Sequence, residues 1–237
     1  GNQYHGGSAG HDAIVIRRAD DGKKVWAKRF ASSAADFGRD LVTTTDGGGI
    51  FTGYTHKSGT TTYDGWAVRF NAAGGMVWSR KFGGSGHDYF HGAAESGTGV
   101  VACGMRRTST LSSAKNRPYV VWLDANGKTV GLKKRTFSMS GDHASVMGCD
   151  VDKASGTVVM AGYRYVTGKS NEGFVATISK TGAEKTYTIP GGTSSELLRD
   201  VVTLGNGWFA AVGYKYNGTA SNDGWLVRMT VSLAGLG

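Results

Sequence analysis

The sequence has few prolines, few cysteines and no long hydrophobic run, and each shortage excludes a class of protein. Proline accounts for 2 of the 237 residues, and the 39 glycines follow no every-third-residue period, which excludes a collagen-like chain. No apolar segment approaches the ~20 residues of a membrane-spanning helix. The 2 cysteines match no zinc or redox spacing. With 39% hydrophobic and 11% aromatic residues, the chain is also too apolar for disorder.

The charge balance is basic, with 27 Lys and Arg against 18 Asp and Glu, a net charge of +9. A basic chain suggests an anionic partner such as a nucleic acid. Here, however, the cations are spread along the chain in pairs, such as Lys23-Lys24 and Arg80-Lys81, and form no tail. Lysine on the open edge of a sheet blocks pairing with other chains, so many of these charges need no polyanion to explain them. Nucleic acid is therefore not the expected partner.

A repeat of about fifty residues runs through the chain, a period typical of solenoids and propellers. The segment Asp64–Arg69, DGWAVR, returns as Asp223–Arg228, DGWLVR, and in more divergent form from residues 12, 118 and 172. A Gly-Tyr pair also recurs, at Gly53, Gly162 and Gly213. Several unrelated positions that share one period indicate one repeated structural unit.

Each repeat predicts four short antiparallel strands separated by glycine-rich turns. The third strand is apolar on both sides, as Trp66 and Ala67 illustrate, so we expect a sheet that is covered on both faces. Four-stranded sheets stacked around an axis form a β-propeller. The predicted fold is all-β: one propeller domain over 1–237 with about five blades, of which the terminal ones are incomplete.

Residues 64–88, DGWAVRFNAAGGMVWSRKFGGSGHD, resemble the glycine-rich propeller repeats of secreted and surface proteins, the SBBP-like class, which is distantly similar to PQQ-like repeats. The resemblance extends over about residues 1–230 at the level of the repeats. It implies an extracellular or cell-surface protein with an adhesive or scaffolding role, often within a larger chain. It supplies no catalytic residues.

The repeats do not fill the chain evenly. Their approximate limits are 12–63, 64–117, 118–171 and 172–222, with a partial start over 1–11 and a partial repeat over 223–237. The first repeat lacks its first strand, and the last has no recognisable fourth strand. Two alternatives follow: the two ends complement each other, or the chain is part of a six- to eight-bladed propeller.

An acidic position precedes the first strand of four repeats, and it is occupied by Asp36, Asp88, Asp142 and Glu196. If the first strands line the central channel, these carboxylates surround one mouth of it. Oxygen ligands of this kind suit Ca²⁺, the one cofactor that the pattern suggests. The alternative is that each carboxylate caps its own turn by accepting hydrogen bonds from backbone N–H groups.

Three residues further along stand Arg39, His91, Ser145 and Arg199. Together they predict a basic belt in the channel that could hold an anion. The alternative is that the two arginines form ion pairs with the acidic position or with Asp40 and Asp200. These predictions concern ligand binding at the channel mouth.

The cysteines, the tryptophans and one sequon give weaker signals. Stacked sheets lie ~10 Å apart, so we expect Cys103 and Cys149, in neighbouring repeats, to be free buried thiols. Trp66 and Trp225 share a repeat position, which favours packing between blades over stacking on a ligand. Asn217 begins an N-glycosylation sequon, which matters if the protein is secreted.

No nucleophile elbow, P-loop or zinc signature is present, and the sequence predicts no catalytic residue. The near-uniform channel position favours a scaffold over an enzyme, which would need unique groups in particular blades. We therefore predict a non-catalytic interaction module, extracellular or on the cell surface, whose rim loops bind a protein or glycan partner within a larger assembly. Two alternatives stay open, a propeller enzyme that acts on glycans at the channel mouth and a polyanion-binding protein.

Overall fold

The computed structural model of the protein describes residues 1–5, 10–32, 35–97, 99–111, 113–136, 139, 143–168, 170–189, 195–216, 218 and 221–230. These residues form an all-β structure of 18 strands, which confirms that the fold is all-β. None of the described segments is a helix of the length and apolarity that crossing a membrane would require.

The strands follow the chain in five consecutive sheets. Sheet 1 holds β1 (Asn2–His5), β2 (Gly10–Arg18) and β3 (Lys24–Phe30). Sheet 2 holds β4 (Asp36–Thr43), β5 (Gly49–His56), β6 (Tyr63–Phe70) and β7 (Met76–Phe82). Sheet 3 holds β8 (Asp88–Ser96), β9 (Gly99–Arg107), β10 (Asn116–Leu123) and β11 (Thr129–Thr136). Sheet 4 holds β12 (His143–Val151), β13 (Val158–Tyr165), β14 (Asn171–Ile178) and β15 (Glu184–Thr188). Sheet 5 holds β16 (Glu196–Gly205), β17 (Trp208–Tyr216) and β18 (Asn222–Thr230).

Neighbouring strands in every sheet are antiparallel and follow one another in sequence. The first strands of sheets 2 to 5, which are β4, β8, β12 and β16, contact one another in succession, and we call them the inner strands. Sheet 1 has no inner strand among the described residues, and sheet 5 has no fourth strand there. Consecutive sheets pack face to face, so the core is a series of apolar layers between them.

Glycine in the repeated Gly-Tyr pair allows the inner strand to lie unusually close to the second strand, with which it pairs in the sheet. A Cβ at Gly53 would collide with the carbonyl oxygen of Phe37, and one at Gly213 would collide with that of Leu197. The same collision would occur at Gly104 and Gly162. This close approach of the two paired strands lies beside a bulge in each inner strand, and glycine is common at such places.

The register of sheet 3 differs by one residue from the sequence alignment. Gly53 lies opposite Trp66 and Gly213 lies opposite Trp225, whereas Gly104 lies opposite Tyr119. Tyr119, and not Val120, therefore occupies the Trp66 position, and its side chain is 1% exposed.

The prediction of free thiols is wrong, because Cys103 on β9 and Cys149 on β12 form a disulfide, with their Cα atoms 6.4 Å apart. The sheets approach more closely here than the usual spacing because Gly92 has no side chain on the face that packs against β12. A Cβ on Gly92 would lie 3.0 Å from the Cα of Gly148 and 2.9 Å from the Cys103 Sγ. Without a side chain at Gly92, sheet 3 comes close enough to β12 for the disulfide.

Candidate functional site

All four inner strands carry a β-bulge at the same position of the repeat. The register shifts between Gly38 and Asp40 in β4, and equivalent shifts occur in β8, β12 and β16. A bulge leaves one residue unpaired and redirects its side chain. The unpaired residues are Arg39, His91, Met147 and Arg199.

Three of the four predicted belt residues thus share one structural position. The fourth position is held by Met147, while the predicted Ser145 lies two residues earlier in β12, opposite Tyr163. The sequence alignment could not place Met147, since two extra residues precede β12 and a methionine resembles none of its counterparts. The bulge itself could have been suspected from the fixed spacing of Arg39 and Arg199 after an acidic residue.

The two arginines make matching contacts with tyrosines of the recurring Gly-Tyr pair. An Nη atom of Arg39 donates to the Tyr54 hydroxyl at 2.8 Å, and its guanidinium lies 5.1 Å from the ring centre. Arg199 donates to the Tyr214 hydroxyl at 3.2 Å and lies 5.3 Å from that ring centre. Within the described residues, neither arginine forms an ion pair with a carboxylate.

His91 lies near both arginines. Burial, together with repulsion from the guanidinium groups of Arg39 and Arg199, lowers the pKa of His91 to about 4. The imidazole is therefore neutral at pH 7 and can both donate and accept a hydrogen bond. Because neither guanidinium forms an ion pair with a carboxylate among the described residues, the two arginines give this site a positive potential.

Aromatic rings form one wall of the site. The ring centres of Tyr54 and Tyr89 are 4.6 Å apart in an edge-to-face arrangement. The rings of His87, Tyr89 and His91 follow one another along β8 in nearly parallel planes. Tyr89 shares a hydrogen bond of 3.1 Å with the Nδ1 atom of His87, and burial raises the pKa of Tyr89 to about 12, so the phenol stays protonated.

These groups surround a cavity of about 290 Å³ at one end of the inner strands. Its lining consists of Arg39, Tyr54, Tyr89, His91, Met105, Asn116, Ser145 and Tyr163. The cavity therefore combines aromatic and thioether walls with one guanidinium, one imidazole, an amide and a hydroxyl. We call it the axial cavity. The hydroxyl belongs to Ser145, so this predicted belt residue lies at the site although it is not at the bulge.

The acidic residues are placed differently from the belt. Asp36, Asp88 and Glu196 are 0% exposed, and each has a partner close to it in its own repeat. Asp36 accepts hydrogen bonds from the backbone N–H and the hydroxyl of Ser32. Glu196 forms an ion pair with Lys215 at 3.0 Å.

Asp88 combines both kinds of contact. Its carboxylate accepts a hydrogen bond of 2.8 Å from the backbone N–H of Gly84 and forms an ion pair with Arg106 at 3.4 Å. Asp142 lies outside the described residues. No three His, Cys, Asp or Glu side chains in the part of the chain that the structure describes could hold a metal ion together. A Ca²⁺ ring at this position stays a prediction.

Sheet 4 has a different ion pair at the corresponding position. Arg164 occupies the position of Arg106, and Ala144 lies opposite it, where Asp88 lies in sheet 3. Arg164 pairs with Glu172 on the neighbouring strand at 2.8 Å. The arginine at this position thus pairs with a carboxylate in both sheets.

The carboxylate of Asp88 can be tested as a structural group. Burial raises the pKa of Asp88 to about 6, above its unfolded value, so the folded protein favours the protonated carboxyl and the free energy of unfolding of the wild-type protein should increase as the pH falls from 7.5 through about 6. The Asp88→Asn side chain is neutral at every pH, so we expect urea unfolding of this variant to lack that increase. Asp20→Asn, at an exposed position, serves as the matched control. An unchanged pH dependence of stability together with lost ligand binding would instead place Asp88 in the binding site.

The remaining sequence predictions fall outside the axial cavity. Trp66 is 3% exposed and packs between sheets 1 and 2, whereas Trp208 is 40% exposed. His143 accepts a hydrogen bond from the backbone N–H of Asn116 through Nδ1 at 3.2 Å. Asn217 lies outside the described residues.

Comparison with known proteins gives a structural likeness only. No protein-family model matches the chain, and no curated protein matches it in sequence. Among solved structures, an ACO/RPE65 chimera shares 11% identity at a TM-score of 0.49, covering 92% of this chain and 56% of the chimera. Cobalt-substituted Synechocystis ACO, an apocarotenoid oxygenase, shares 11% identity at a TM-score of 0.48 over the same fractions. The chain thus spans little more than half the length of these structures.

The prediction of a non-catalytic interaction module that acts through its rim loops is corrected by these matches. The solved structures named above are those of an apocarotenoid oxygenase and of an ACO/RPE65 chimera, and neither is an interaction module. At this identity and TM-score, the likeness assigns no reaction and no ligand to the chain.

Proposed function

We propose that the protein binds a small organic anion, of the class of aromatic carboxylates, in the axial cavity. The observation that carries this proposal is Arg39, which lines the cavity together with His91 and has a phenol partner but no carboxylate partner among the described residues. Arg199 has the same kind of phenol partner and lies near His91, so it adds positive potential although it does not line the cavity. Guanidinium groups bind carboxylates in a two-point geometry that lysine cannot reproduce. His91, which is neutral, can donate a further hydrogen bond.

The walls of the axial cavity favour a flat, apolar body for this anion. Tyr54, Tyr89 and Tyr163 present aromatic surface and Met105 presents a thioether, groups that pack well on an aromatic ring. The volume of about 290 Å³ lies at the lower end of ligand sites, which cover roughly 300–1,000 Å³. A single-ring carboxylate matches both features.

We also infer that the five sheets are blades of a β-propeller and that the protein is extracellular. The first inference is supported by the succession of antiparallel sheets, by the burial of both faces of sheets 2, 3 and 4, and by the contacts between the inner strands. The second is supported by the disulfide between Cys103 and Cys149, since such bonds persist in oxidising compartments. The resemblance to glycine-rich surface repeats agrees with both proposals.

Calorimetric titration with three matched probes tests the binding proposal. Benzoate supplies the ring and the charge, cyclohexanecarboxylate keeps the charge without the aromatic ring, and benzyl alcohol keeps the ring without the charge. We expect benzoate to bind most tightly, cyclohexanecarboxylate more weakly and benzyl alcohol not at all at millimolar concentration. Equal affinity for benzyl alcohol, or no binding of either carboxylate, would refute the proposal.

The affinity for an anion should increase as the pH falls. Free His91 has a pKa of about 4, and a bound anion stabilises the imidazolium, so the complex has the higher pKa of the two states. The affinity for benzenesulfonate, which stays ionised throughout, should therefore rise as the pH falls from 7 and level off below about 4. Asp88 titrates near pH 6 in the same range, so the matched comparison is His91→Gln, which keeps Asp88. Parallel profiles for the two proteins would show that His91 does not face the anion.

A further inference from the structure

The sheets pack with a fixed polarity. Ala13 and Val15 of sheet 1 pack on Trp66 and Val68 of sheet 2, and Val175 of sheet 4 packs on the corresponding residues of sheet 5. We call the face that carries Ala13 and Val15 in sheet 1, and Val175 in sheet 4, the leading face of its sheet. The face that carries Trp66 and Val68 in sheet 2 is the trailing face. Each junction within the chain joins the leading face of one sheet to the trailing face of the next.

Within the part of the chain that the structure describes, no sheet packs on the leading face of sheet 5. Leu226 is 72% exposed, whereas its counterparts Ala67, Val120 and Val175 in the preceding sheets are all 0% exposed. Val212 is 48% exposed, and its counterpart Ala161 is 0% exposed. These apolar side chains occupy positions that are buried elsewhere in the molecule.

The trailing face of sheet 1 is uncovered in the same way. Ile16 is 49% exposed, while Val68 and Val121, which hold the equivalent positions in sheets 2 and 3, are 0% exposed. The two ends of the chain of sheets therefore display the two complementary halves of one junction.

We propose that a second copy of this chain covers these faces, with the leading face of sheet 5 in one copy packed on the trailing face of sheet 1 in the other. Such a contact would repeat the polarity of the four junctions already present. It joins two different surfaces, so it is heterologous, and it either closes into a ring or continues into a longer assembly. Because each copy carries a net charge of +9, added salt should strengthen the association.

Sedimentation velocity of the intact chain tests the proposal, with two variants that each damage one face. Wild-type protein should associate in a concentration-dependent manner, and Leu226→Asp and Ile16→Asp should each weaken the association at least tenfold. Each variant keeps one intact face, so an equimolar mixture of the two should form a discrete heterodimer. Val77→Asp, at a 53% exposed apolar position on β7, is the matched control and should associate like wild type.

Each outcome of this test decides the matter. Circular dichroism and melting temperature establish that the two variants fold, since both positions are already exposed. A monomeric wild-type protein at every concentration, at low and high salt, would overturn the proposal and leave the faces to another partner. A mixture that stays monomeric, or an Ile16→Asp variant that associates as well as wild type, would also overturn it, because either result excludes the heterologous contact.

Discussion

Replacing Arg39 with glutamine is expected to weaken benzoate binding about ten- to hundredfold, the loss that follows from removing one charge-assisted hydrogen-bonding partner. The Arg39 guanidinium lines the axial cavity and is oriented by the Tyr54 hydroxyl at 2.8 Å. Arg39→Lys keeps the charge but not the planar fork, so we expect an intermediate loss. Calorimetric titration of both variants measures these effects.

The control for this prediction is Arg80→Gln. Arg80 also lies over an aromatic ring, with its guanidinium 6.0 Å from the ring centre of Trp78, but it lies on β7, which is not an inner strand. This variant should bind benzoate like the wild-type protein. Equal losses in Arg39→Gln and Arg80→Gln would show that a general loss of positive charge, and not the axial cavity, governs the affinity.

Reducing the disulfide between Cys103 and Cys149 is expected to lower the free energy of unfolding by about 4 kcal/mol, the chain-entropy estimate for a closed loop of this length. The two residues are 46 positions apart and connect sheets 3 and 4. Urea unfolding of the oxidised and the reduced wild-type protein measures the difference without a substitution. The Cys103→Ala, Cys149→Ala double variant should resemble the reduced protein.

Thiol titration of the unfolded protein provides the independent check. The oxidised chain should yield no reactive thiol in denaturant, and the reduced chain should yield both. Two free thiols in protein that was never exposed to reductant would contradict the bond and restore the arrangement expected from the sequence.

The sequence is informative about the fold because the repeat places similar side chains in similar surroundings. The apolar residues on both sides of the third strand, such as Trp66 and Ala67, lie in layers between sheets, as predicted. The register of sheet 3 was harder to predict, since Tyr119 and Val120 are both plausible residues for the position that Trp66 holds in sheet 2. Only the pairing with Gly104 distinguishes them.

The candidate site depends on features that the sequence does not specify. The position of Arg39, His91 and Arg199 on an inner strand follows from the repeat, but their projection from the sheet depends on the bulges. The disulfide depends on how closely Gly92 approaches Gly148, which is a property of the packed sheets. The sequence likewise does not show that the buried acidic residues pair with other cations than Arg39 and Arg199. Asp88 pairs with Arg106 and Glu196 pairs with Lys215.

A crystal structure of the protein soaked in 4-bromobenzoate tests the axial anion site most directly. Anomalous scattering from the bromine locates the ring, and the density shows the direction of the carboxylate. We expect the ring between Tyr54 and Tyr163, with the carboxylate within hydrogen-bond distance, ~2.8 Å, of the Arg39 guanidinium. An axial cavity without bromine at saturating concentration, or an Arg39 guanidinium engaged by a carboxylate of the protein, would contradict the account.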